Sequence, residues 1–187
     1  MRIIAILATI GLILGGLLIW FGVFNVAATD KHFVGTVSLL EMVRERSIDV
    51  RANTIQVPDL NDEELIKEGA AHYAEMCTGC HLAPGIDESE LHSGLYPQPP
   101  VFTDANYANT PQAQFWIIKN GLKMTGMPAW SPAHTDEQIW GMVAFLAKIK
   151  GLNIAEYTDL SKETGEGHSH GGINDHNIEE NEHNHSH

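Results

Sequence analysis

Cysteine is almost absent from this chain of 187 residues: there are only Cys77 and Cys80, with two residues between them. That scarcity is informative. A closed structural zinc site wants four ligands, and there is no second cysteine pair to complete one. A thioredoxin-like redox pair wants a βαβ pattern nearby, which the flanking sequence lacks. Basic residues are also scarce, with 11 Lys and Arg against 24 Asp and Glu, for a net charge of -13 with histidines neutral. Nucleic acid is therefore excluded as a partner. A protein with a basic docking face suits such a surface, because complementary charge speeds encounter. Hydrophobic content is ordinary at 43%, but it is concentrated at the N-terminus.

The cysteines stand in Tyr73-Ala74-Glu75-Met76-Cys77-Thr78-Gly79-Cys80-His81, with a histidine directly after the second. This is the attachment signature of a c-type haem. Two thiols on one turn reach two vinyl groups of one porphyrin, and the adjacent imidazole is the proximal iron ligand. A plain disulfide would leave His81 and Met127 without a role. Upstream, Asn61 with Glu64 three residues on reads as a capping box, opening a helix from Asn61 to Met76 that is apolar at Leu65, Ile66, Ala70 and Tyr73. Gly69 and Tyr73 fall on one face, and His72 falls off it, toward solvent.

Cys77 to His81, the loop Gly126-Met127-Pro128-Ala129-Trp130 and a closing helix with Trp140 and Phe145 resemble a class I monohaem cytochrome c. The likeness is closest to membrane-anchored bacterial types, and covers roughly residues 58 to 157. It implies an all-α domain around one covalent haem, with Cys77 and Cys80 as thioether sites, His81 and Met127 as axial ligands, and Gly69 as the residue that lets the first and last helices cross closely. Trp130 is implied to lie along the haem edge. Met124 and Met142 are rivals to Met127, the first one helical turn earlier and the second within the closing helix.

A ligating histidine usually donates its other ring N–H to a carbonyl. The run Tyr96-Pro97-Gln98-Pro99-Pro100 is the expected source, with Pro99 the first choice and a merely stiffening role for the prolines the alternative. His92, in the same loop, has no spacing that recommends it as a ligand. Thr110-Pro111 opens a helix that Gly121 ends. Its Trp116 is expected to wall the haem pocket, although a core tryptophan would leave the same trace. Thr135 caps the final helix with Gln138 as a second capping box, and Ile139, Met142, Val143, Leu146 and Ile149 form its buried stripe.

Around this centre the chain divides into residues 1–29, 30–57, 58–157 and 158–187. From Ile3 to Ala28 there is no charge. As a helix this run would span about 39 Å, more than a hydrocarbon core needs. It reads as an uncleaved transmembrane anchor, with Trp20 and Phe21 near the interface and Arg2 pointing the N-terminus inward. A cleaved signal peptide, cut after Val26-Ala27-Ala28, is the rival. Residues 30–57 read as an amphipathic stalk or interfacial helix. Its Arg44, Arg46 and Arg51 face lipid headgroups or solvent, or alternatively reach a haem propionate.

The last segment is polar and acidic, with no apolar face to bury, and reads as disordered. It carries His168, His170, His176, His183, His185 and His187, whose interspersed spacing suits divalent copper, nickel or zinc. The sequence thus predicts a non-enzymatic electron carrier at the outer face of a bacterial inner membrane, relaying single electrons from a dehydrogenase or quinol-oxidising complex to a terminal acceptor. The alternative is a periplasmic metal-handling protein whose tail captures the ion and whose haem supports a linked redox step.

Overall fold

The computed structural model describes residues 1–162, so the six tail histidines lie outside the described residues. Among the described residues the chain is all-α, with no strand and only an isolated bridge between Ala83 and Ile86. Helix α1 (Arg2–Trp20) carries no charge after Arg2 and none of its residues is buried. Helix α2 (Val34–Ala52) follows, and touches the rest of the protein near its C-terminal end through Ile48 and Ala52.

The haem-motif region begins with α3 (Glu63–His72), a π-helical turn (Tyr73–Cys77) and α4 (Thr78–His81). The cap of α3 is Asp62 rather than Asn61. The Asp62 carboxylate accepts from Glu64 N–H at 2.9 Å and Leu65 N–H at 3.4 Å, whereas Asn61 is turned back to the Asp59 carboxylate. The uninterrupted helix expected from Asn61 to Met76 is also corrected, because the last turn before the cysteines widens. Then come α5 (Glu90–Gly94), α6 (Pro111–Asn120), α7 (Asp136–Ile149) and α8 (Ile154–Leu160). Thr110 caps α6, and Thr135 with Gln138 forms the expected capping box on α7.

Helices α3 and α7 cross at a pair of glycines. A Cβ on Gly69 would stand 1.9 Å from the Gly141 carbonyl oxygen, so the backbones touch where a side chain would otherwise keep them apart. Around this crossing Ile139, Met142, Val143, Phe145 and Ile149 of α7 are almost fully buried. The Tyr73 ring lies 5.1 Å from that of Phe145, and Phe115 stacks on Trp140 at 4.2 Å. His72, expected at the surface, is buried. His134, just before α7, places its ring 5.2 Å away and covers it, and Glu68 stands 3.7 Å from its Nε2.

Candidate haem site

Cys77 and Cys80 are unpaired thiols on consecutive helical turns, each half-buried. The Cys77 thiol is pushed up to about 12 by burial, with the nearby Cys80 adding to the shift. A dithiol redox centre works through the opposite change, a depressed thiol pKa.

His81 closes α4 and is buried. Its Nδ1 lies 2.8 Å from the Pro100 carbonyl oxygen. The carbonyl partner is thus Pro100 and not Pro99: the loop turns so that the last proline of the run faces the ring. Phe102 stacks on the imidazole at 4.4 Å with planes 19° apart, fixing the ring's tilt. Burial holds the His81 pKa below the usual imidazole range; the Pro100 carbonyl opposes that shift and His92 adds to it. A neutral imidazole donating from Nδ1 has its Nε2 lone pair available, which is the state a metal requires.

The backbone around this turn is held from three sides. Leu82 has φ of 60°, unusual for a branched side chain, and its carbonyl accepts from the Tyr73 hydroxyl at 2.6 Å. On a second side, Ser89 Oγ donates to the Gly79 carbonyl and also caps α5. His92 Nδ1 lies 2.8 Å from the Cys80 carbonyl. These carbonyls belong to the end of a four-residue helix and have no continuing turn to receive them, so α5 acts as a clip. On the third side, the Tyr157 and Thr78 hydroxyls are 3.1 Å apart, bringing α8 against the attachment turn.

The second wall comes from the loop after α6. Gly121 has φ of 65°, and a Cβ there would meet the Pro128 carbonyl carbon at 2.6 Å. The loop therefore folds back tightly: Leu122 N–H donates to the Met127 carbonyl at 3.1 Å, and Met127 N–H to Thr125 Oγ1 at 3.1 Å. Met127 and Trp130, with Cys77 and Phe102, pack half-buried against the same core. Met124 is 98% exposed, which leaves its thioether in solvent. Met142 is locked inside α7's packing.

Trp116, expected at the pocket wall, packs elsewhere. It sits with Ile48, Ala52 and Ala113 at the α2–α6 contact, because Phe115 and Ile118 take the core-facing side of α6. Two of the stalk arginines are engaged along α2: Arg51 donates to the Ser47 carbonyl at 2.7 Å, and Arg44 lies 3.6 Å from Glu45. Sequence reasoning missed Ser89, Phe102 and Tyr157, ranked Pro100 behind Pro99, and weighed His92 only as a ligand. Only the serine–acid start of α5 carried a local signal; the others depend on chain folding.

The arrangement fits a covalently held porphyrin: two free thiols, a neutral oriented imidazole and a thioether loop share one apolar core. Among the described residues no group of three His, Cys, Asp or Glu could hold a separate metal ion. Residues 64–146 match the family model described as cytochrome c oxidase, cbb3-type, subunit III. No curated protein matches the chain.

Proposed function

Starting from the cytochrome c domain that residues 64–146 form, we propose that this protein is a membrane-anchored carrier of single electrons with His81 and Met127 as axial ligands of one haem c. A covalently bound haem c supplies reversible one-electron chemistry at its iron. The observation that carries the reading is the setting of His81: buried, stacked on Phe102 and hydrogen-bonded to Pro100 beside two unpaired cysteines.

The chain's own residues serve a carrier. Cys77 and Cys80 hold the group, so it cannot dissociate between encounters. Pro100 and Phe102 keep the His81 ring in one orientation, and the Gly121 turn holds Met127 against the same core. If His81 and Met127 both ligated the iron, they would limit rearrangement and leave no open position for oxygen or peroxide, which would suit transfer rather than catalysis. Residues 58–157 form the electron-transfer domain, 30–57 its stalk and 1–29 its anchor in a bacterial inner membrane. Arg2 faces the cytoplasm and the domain faces the periplasm. Donor and acceptor are redox proteins, and a terminal oxidase is one fitting acceptor.

The test is spectroscopic. Protein purified under denaturing conditions should carry covalent pigment. Met127→Ala should abolish the methionine–iron absorption band and lower the reduction potential, while Met124→Ala should change neither. Rapid carbon monoxide binding by the ferrous wild type at neutral pH would overturn Met127 ligation.

A further inference from the structure

Among the described residues, helix α2 turns one face to the domain and leaves a second, apolar face uncovered. Taking Ile48 as the direction of the domain, Leu39, Val43 and Val50 fall roughly 180–220° around the helix at 3.6 residues per turn. These three are 58%, 58% and 50% exposed, and Leu40, beside them, is 53% exposed.

The charges are unevenly placed around this stripe, and Arg44, about 40° from Ile48, pairs with Glu45 on the domain side. Glu41, Glu45 and Asp49 lie within about 100° of Ile48, on the side away from the apolar stripe, whereas Arg46 borders the stripe on one edge and Arg51 on the other. An exposed apolar strip flanked by Arg46 and Arg51 suits the water–lipid boundary, where arginine heads reach the phosphates while the strip sinks below them.

Continuity names the occupant. Helix α1 ends at Trp20 and α2 begins at Val34, so thirteen residues separate them, a reach of about 45 Å at most. That link is itself apolar and exposed at Phe21, Val23, Phe24 and Val26. From these observations we infer that α2 lies in the headgroup region of the same bilayer that α1 spans, with Leu39, Val43 and Val50 facing the acyl chains. The inference rests on the anchor reading of α1.

Its consequence is a fixed orientation. The domain grips α2 at one end through Ile48 and Ala52. It also grips the preceding link, where His32 N–H donates to the Tyr96 hydroxyl at 3.2 Å and the two rings lie 5.4 Å apart. With both grips made, a bilayer-seated α2 holds the Tyr96–Pro100 side of the haem site at a set attitude to the membrane, instead of leaving the domain free on a tether.

The holo-protein has both cysteines consumed by haem, so one introduced cysteine is a unique thiol. Full-length Val43→Cys, Leu39→Cys and Glu45→Cys variants are reconstituted in vesicles of phosphatidylcholine with phosphatidylglycerol, washed at alkaline pH and treated with a membrane-impermeant maleimide. Positions 39 and 43 should react about tenfold more slowly than position 45 in vesicles, with the difference lost in detergent. Equal rates in protein that stays with the vesicles would overturn the inference while leaving the anchor intact. Protection that rises with the protein-to-lipid ratio would also overturn it, assigning the face to a second copy. Release by the alkaline wash would sink the anchor reading and this one together.

Discussion

Tyr73 shows how a single side chain secures the attachment turn. It is 1% exposed, and its hydroxyl donates to a carbonyl whose residue, Leu82, has a positive φ. Tyr73→Phe keeps the ring and removes the donor, leaving that buried carbonyl without its bond. The expected loss is about 1–3 kcal/mol in urea unfolding of the holo-protein, with an unchanged m-value. Burial chiefly raises the Tyr73 phenol's pKa above its ordinary 10.0. The fold therefore favours the protonated form: this contribution is complete below the unfolded pKa and is lost as pH rises through the folded one. Above pH 10.0 the wild type should lose up to about 1.4 kcal/mol per pH unit more than Tyr73→Phe. Parallel alkaline stability curves would contradict this. At this scale the closeness of Cys77, Cys80 and His81 was legible, because the three stand within five positions of the chain. Pro100 was missed in favour of Pro99, since loop phase decides which carbonyl faces a ring 19 residues away.

Among the elements, the α3–α7 crossing is the most demanding contact. A methyl on Gly69 would overlap the Gly141 carbonyl, and backbone on both sides prevents a local escape. Gly69→Ala should cost about 3 kcal/mol or more, or prevent holo-protein from accumulating. Gly141→Ala, whose Cβ would meet the Leu65 carbonyl at 2.9 Å, should cost less. Thermal melts followed at the haem band rank the two, and an unaffected Gly69→Ala would mean that the helices cross elsewhere. The capping box on α7 and the proline start of α6 could be read directly because their signals lie within four residues. The Asn61 cap was displaced by one residue, since Asp59 holds the Asn61 backbone in a turn of its own. Helix α8 went unread because its buried residue is Tyr157 alone, too little for a periodic stripe. The α5 clip stayed invisible for a related reason: Ser89 and His92 act on carbonyls of a turn ten and twelve residues earlier.

For the whole molecule, what the sequence could not show is which faces meet. Trp116 looked like a pocket residue by composition, yet α2 claims that side of α6. Charge, by contrast, needs no fold to be counted. Residues 163–187 contain six acids and no lysine or arginine, so they carry six of the thirteen net negative charges. If encounter with a basic partner is steered by this field, its rate should fall steeply with added salt, because screening shortens from about 30 Å at 0.01 M to about 10 Å at 0.1 M. A small cationic oxidant reports on this without any partner being known. It should oxidise the ferrous protein faster than an anionic oxidant of similar driving force, and the ratio should shrink with ionic strength. Ending the chain at Lys162 should reduce the cation preference at low salt while leaving the haem spectrum and potential unchanged. An unchanged preference would confine the steering charge to the domain. A shifted spectrum would mean instead that the last 25 residues touch the haem site.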